Sequence, residues 1–236
     1  MSRVATHTPA HFGLTATLAT VCALLAAPAS AAVIASQAPV DGGIDYESTV
    51  TFGYHNGDTF AMSNSGTVTG LEWWGSQTLE LPGGGRDTTG FYIRLFNDLS
   101  ANAVPVFECD YLSNSATTCD APVVASTTNI TNIFIDPVDK FSITFATPIA
   151  LAAGNYLLSI GNELDVWYWL EGNDPGGLGY YRSADNEDWT GADPGFSLTV
   201  LGTLNQPPVG LPEPGTLALL GLAGVGAALS RRKRAG

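Results

Sequence analysis

Lysine is almost missing from the body of this sequence. Between residues 32 and 212 Lys140 stands alone, joined by Arg86, Arg94 and Arg182. The same stretch holds all of the 22 acidic residues except Glu213, so its net charge is about −17. A surface this negative repels nucleic acid and anionic lipid headgroups, and nucleic acid is excluded as a partner. Histidine is as scarce: beyond residue 31, His55 has no companion. A Ser-His-Asp triad would have to use it, yet Tyr54-His55-Asn56-Gly57 reads as a surface turn after a strand. There is no Gly-x-Ser-x-Gly elbow. Metalloprotease His spacing and the phosphate-cradling Gly-x-x-x-x-Gly-Lys-Ser/Thr loop are absent as well. The expectation is a protein that is not an enzyme and needs no cofactor. Helical periodicity is also lacking: no segment of 40–205 sustains a 3.6-residue hydrophobic repeat.

What is present is alternation of period two. Phe141-Ser142-Ile143-Thr144-Phe145 puts its apolar residues on one face, and Phe196-Ser197-Leu198-Thr199-Val200 repeats the pattern. Phe91, Ile93 and Leu95 alternate in the same way, as do Tyr156, Leu158 and Ile160. Further strands are expected near 48–52, 58–62, 67–74, 104–109, 130–135, 165–170 and 179–183. Turn signals separate them at Asn56-Gly57, Pro82-Gly83-Gly84-Gly85, Gly154-Asn155, Asp174-Pro175-Gly176-Gly177 and Asp193-Pro194-Gly195. About ten short strands point to an all-β, antiparallel two-sheet sandwich or jelly roll over 32–204, with a closed barrel as second choice.

The two ends read as addresses. Residues 1–31 have the parts of a signal peptide: Arg3, an apolar stretch from Leu14 to Ala27, and the small-residue cleavage pattern Ala29-Ser30-Ala31. Export places Cys109 and Cys119, the cysteines left after cleavage, in an oxidising compartment where they are expected to pair. The bridge would contribute about 3 kcal/mol on the chain-entropy account. At the other end a Pro-rich linker, 205–215, contains Pro212-Glu213-Pro214. An uncharged stretch from Thr216 to Ser230 follows, then Arg231-Arg232-Lys233-Arg234. As a helix that stretch spans ~22 Å at ~1.5 Å per residue. The hydrocarbon core is ~30 Å thick, so 216–236 suits a temporary hold better than a permanent span. The basic cluster would stay cytoplasmic, leaving the acidic domain outside.

The order Pro212-Glu213-Pro214, short Gly/Ala/Leu-rich helix, basic cluster resembles the PEP-CTERM sorting signal of Gram-negative bacteria, over about Leu211 to Arg234. The resemblance implies an exosortase-type processing enzyme as partner, and transient anchoring in the inner membrane. It further implies cleavage near Pro212–Pro214, a cell-surface or extracellular destination, and an exopolysaccharide or biofilm setting. A second, scattered resemblance lies within 65–202. Gly70-Leu71-Glu72-Trp73-Trp74-Gly75, 151–160, Trp167-Tyr168-Trp169 and Tyr180-Tyr181-Arg182-Ser183 are similar to an uncharacterised β-rich domain of secreted bacterial proteins, which implies a fold and a compartment but no activity.

Three sets of residues remain as candidates for chemistry. Trp73, Trp74, Trp167 and Trp169 offer flat indoles that stack on sugar rings if one face of their strands is open, and that pack the core if it is not. Asp185, Glu187, Asp188 and Asp193 would supply the oxygens of a Ca²⁺ site, or are solvated loop acids. A hydrolase would need two facing carboxylates. The candidates are Glu72, beside Trp73-Trp74, or Glu163 and Asp165, before Trp167. The expected function is a structural or adhesive surface protein associated with extracellular polysaccharide. The rivals are a tryptophan-based carbohydrate-binding module and a glycan-active hydrolase.

Overall fold

A computed structural model describes residues 31–77, 88–110, 119–173, 178–192 and 194–205. The described residues form thirteen strands in two antiparallel sheets. In chain order they are β1 (Ala32–Gln37), β2 (Asp45–Glu47), β3 (His55–Met62), β4 (Gly66–Gln77), β5 (Phe91–Phe96), β6 (Phe107–Asp110) and β7 (Val124–Thr131). They continue with β8 (Pro137–Leu151), β9 (Gly154–Asn162), β10 (Trp167–Leu170), β11 (Gly179–Arg182), β12 (Thr190–Ala192) and β13 (Leu198–Leu204). The expected all-β sandwich is what the chain forms.

Strand β4 organises the seven-stranded sheet. Along one edge it pairs with β8, from Gly66 opposite Leu151 to Gly75 opposite Asp139. Along the other it pairs first with β13 and then with β10, whose Trp169 stands opposite Gly75. β1 extends the sheet beyond β13, β2 beyond β10 and β7 beyond β8. The second sheet runs β12-β11-β3-β9-β5-β6.

The inward residues of both sheets make one core. Trp73, Phe91, Phe141, Trp167 and Trp169 are completely buried. Their rings touch in sequence: Trp73 stacks on Phe141 at 6.0 Å, Phe91 meets Trp167 edge-on at 5.3 Å, and Trp169 stacks on Phe196 at 4.9 Å. Such pairs add ~0.5–1.5 kcal/mol each beyond burial. Gly75 makes this packing possible, because a Cβ there would lie 2.2 Å from the Tyr168 carbonyl oxygen and 2.7 Å from the Trp167 ring. Cys109 and Cys119 form the expected disulfide at the edge of this core.

Several local expectations are corrected. Residues 48–52 contain a 3-10 turn, Val50–Phe52, where a strand was expected. Asn56-Gly57 is not a turn: both residues sit in β3, opposite Tyr181 and Tyr180 on β11. His55 opens that strand and is buried at 5% exposure. β7 ends at Thr131, and 132–136 is a loop held by Asn132. Ile135 in that loop has φ 68°. Strands β1, β2 and β12 were not anticipated. The turn signals at 82–85 and 174–177 lie outside the described residues.

Candidate functional site

The tryptophans expected to contact sugars are not at the surface. Trp73, Trp167 and Trp169 are 0% exposed, and Trp74 is half-buried opposite Lys140 on the neighbouring strand. The physical reason is that both sheets bring aromatic partners to the indoles. Burial beside Phe91, Phe141 and Phe196 removes more apolar surface from water than a sugar contact would. A tryptophan-based binding face is thereby ruled out for those three.

The acidic loop does not converge on an ion position. Asp185 Oδ1 accepts Arg94 Nη1 at 2.9 Å and Arg182 Nη2 at 2.5 Å. Glu187 accepts the Ser183 N–H at 3.1 Å and Asp188 accepts the Ala101 N–H at 2.5 Å. Among the described residues no three His, Cys, Asp or Glu side chains gather in a metal-binding arrangement. Asp193 lies outside the described residues, as do the sorting-motif residues Pro212, Glu213 and Pro214 and the basic residues 231–234. The carboxylates considered for hydrolysis are separated in role. Glu72 pairs with Lys140 at 2.9 Å, Asp165 Oδ1 accepts the Val166 N–H, and Glu163 neighbours Asp110, its carboxyl raised first by burial and then by that charge.

A different site takes shape where the two sheets meet at one end. A cleft of about 330 Å³ is walled by Tyr46 and Glu47 from β2, Tyr54 and Asn56 around the start of β3, Gly179, Tyr180 and Tyr181 from β11, and Pro194 and Phe196 before β13. The volume falls in the range of small-ligand clefts. Tyr54 and Tyr181 are half-exposed, each at 50%. Tyr46 packs edge-on against Phe196, with ring centres 5.7 Å apart. Burial and the nearby Glu171 carboxylate raise the Tyr46 phenol above its usual pKa, so it remains an O–H donor at neutral pH. The Asn56 amide donates to the Glu47 carbonyl at 2.8 Å, which locks β2 of one sheet to β3 of the other. A second hollow adjoins along Tyr54, Asn56 and Tyr181 and continues to Phe52, His55, Arg182 and Ser183.

Beneath this trough lies a polar cluster. His55 Nδ1 is 2.9 Å from the Tyr92 hydroxyl, and burial lowers the imidazole to about 4. Arg182 lies over Trp189 at 4.4 Å and over Phe96 at 5.1 Å, with Asp185 taking its charge. These groups hold β3, β5 and β11 together. The aromatic trough was missed in the sequence because four separated segments build it. The available signal was Tyr180-Tyr181 on one short strand together with Tyr46 and Tyr54, each flanked by polar residues.

The cleft and the exit of the chain lie at opposite ends of β4. Asn205, the last described residue, donates its N–H to the Ser65 carbonyl at 2.7 Å, beside the Gly66 end. Tyr46 is aligned through Trp169 with Gly75. The strand separates Gly66 from Gly75 by about 30 Å at ~3.3 Å per residue. No curated protein and no solved structure matches the chain. Residues 211–234, which follow that exit in the sequence, match the PEP-CTERM protein-sorting motif, and the motif implies export, transient membrane anchoring and processing by an exosortase.

Proposed function

We propose that this protein is a non-enzymatic structural or adhesive component of the cell surface or extracellular space, associated with exported polysaccharide through the end of its sandwich opposite the point where Asn205 leaves it. One observation carries the reading: the aromatic trough lies about 30 Å along β4 from the point where the chain departs towards residues 211–234. With the tail held at the membrane, that geometry leaves the trough clear of the end at which the chain departs. A signal peptide cleaved after Ala31 supplies the route out, and release near Pro212–Pro214 supplies the final surface or extracellular location. Glu47 is the lone carboxylate lining the cleft among the described residues, whereas glycoside hydrolysis uses a facing pair.

The test is fractionation of cultures expressing the full chain or a chain lacking 211–234. Full-length protein is expected in the surface and extracellular fractions, shortened by processing and co-purifying with polysaccharide. The deletion is expected to strand it elsewhere, unprocessed. Normal processing and display without 211–234, or full-length protein that never accompanies polysaccharide, would overturn the reading.

A further inference from the structure

We infer that the tyrosine trough is a glycan-binding site that takes an internal stretch of an uncharged polysaccharide chain. This rests on the polysaccharide-associated role and names the ligand class for it. The first argument is shape. The cleft and its neighbouring hollow, about 330 Å³ each, share Tyr54, Asn56 and Tyr181 and so form one elongated surface. An elongated surface suits a run of linked rings better than a single sugar.

The second argument is the chemistry of the walls. Tyr54 and Tyr181 present half their surface to solvent at the junction, and Phe52 extends the aromatic lining at 64% exposure. Flat rings of this kind cover the apolar faces of pyranoses, while the phenol hydroxyls and the Glu47 carboxylate are the polar groups within reach of the sugar hydroxyls. The walls are also fixed in advance. Tyr180 and Tyr181 are paired with Gly57 and Asn56, on a strand that β9 backs from the other side. Little side-chain and loop freedom remains to be lost on binding.

The third argument is charge. Glu47 lines the cleft; after burial, Glu171 raises the Tyr46 phenol, and Glu47 and then Asp45 raise that of Tyr168. Arg182, the cation in the lining, has its guanidinium bonded to Asp185 and packed on Trp189. The surrounding domain is strongly acidic. A uronate or sulfated chain would meet this acidic surface with only the buried Arg182, whose Nε has no hydrogen-bond partner among the described residues, to set against it, whereas a neutral chain would meet no repulsion. Proline-rich peptides also dock on aromatic grooves, and a polyproline peptide is therefore the competing ligand in the test.

The test uses the full chain in mild detergent and polysaccharide from the medium of the strain that expresses it. Anion exchange separates that material into neutral and acidic pools. Partial hydrolysis of the neutral pool gives graded oligosaccharides, and binding is followed by calorimetry beside a polyproline peptide. The neutral pool is expected to bind, with affinity rising with oligosaccharide length. Tyr54→Ala and Tyr181→Ala should each weaken binding about tenfold, and Tyr54→Phe and Tyr181→Phe by much less, because the stacking face is kept. Neutral binding that both alanine variants leave untouched would overturn the site while sparing the polysaccharide role. Preference for the acidic pool or for polyproline would overturn the ligand class. Failure of both pools to bind the full chain would overturn the polysaccharide role and the site together.

Discussion

The carboxylate of Asp58, buried in β3, accepts the backbone N–H of Phe196, a residue of the strand connection in the opposite sheet. Its other oxygen accepts the Gln37 amide of β1 at 3.1 Å and the Thr59 N–H at 2.6 Å. One side chain therefore ties the two sheets together directly behind the cleft, since Phe196 is part of the cleft wall. Asp58→Asn keeps the size but turns a donor towards one of these N–H groups. Leaving a buried donor without an acceptor costs ~1–3 kcal/mol. Asp58→Ala abandons both long-range donors and should cost about 3 kcal/mol or more. Urea denaturation of the two variants should place Asn between wild type and Ala. Equal stability of all three would show that water replaces the carboxylate.

The buried pair His55 and Tyr92 gives stability a defined pH dependence. Burial lowers His55 from 6.5 to about 4 in the folded chain. Between those values the unfolded chain binds a proton that the folded chain refuses. The stabilising contribution is thus complete above about pH 6.5 and declines as pH falls towards 4, by up to ~1.4 kcal/mol per unit. His55→Gln can still hydrogen-bond to the Tyr92 hydroxyl but cannot titrate. Chemical denaturation at steps from pH 7 to 4 should show a flatter stability profile for this variant than for wild type. Parallel profiles would mean that His55 takes up its proton in the folded chain at the same pH as in the unfolded chain.

Alternation and local chemistry made much of the fold readable. Phe141 to Phe145, Tyr156 to Ile160 and Phe91 to Leu95 all lie in strands, because each presents an unbroken apolar face to a two-sheet core. The cysteine pair was readable from compartment and count. The start of β3 was not. Asn56-Gly57 is a strong turn signal in isolation, but pairing with Tyr181 and Tyr180 on one side, and Gly57 with Ser159 on the other, overrides it. The tryptophans were placed correctly on strands, while their burial depended on Phe91, Phe141 and Phe196, partners far away in the chain. The tyrosine cleft failed to show for the same reason: long-range pairing assembles it and local pattern does not.

The disulfide should matter for the exported protein more than for the chain before export. Cys109 ends near the close of β6 and Cys119 is buried at the edge of the same core. Joining them restricts the unfolded chain, and Cys109→Ser/Cys119→Ser is expected to lose about 3 kcal/mol. For a domain of this size that corresponds to a fall in melting temperature of roughly 6–12 °C. Calorimetry with and without reductant should reproduce the shift in wild type and show none in the double variant. A reductant effect that persists in the double variant would place its origin elsewhere.

Ile135 offers the opposite outcome, a substitution that stabilises. It holds φ at 68°, a left-handed conformation in which a β-branched side chain is strained, and it is 80% exposed. The loop imposes this geometry through Asn132, whose side-chain oxygen accepts the Phe134 and Asp136 N–H groups at 3.0 and 2.8 Å and whose amide donates to Asp45 at 2.8 Å. Little burial is lost on removing the isoleucine side chain. Ile135→Gly and Ile135→Asn should each stabilise the protein by about 1 kcal/mol, as relief of the left-handed strain outweighs, for glycine, the larger entropy of the unfolded chain. Asparagine, free of that entropy term, should do at least as well as glycine. Equilibrium denaturation decides the matter. A loss of stability in both variants would mean that the isoleucine side chain makes contacts worth more than its strained backbone costs.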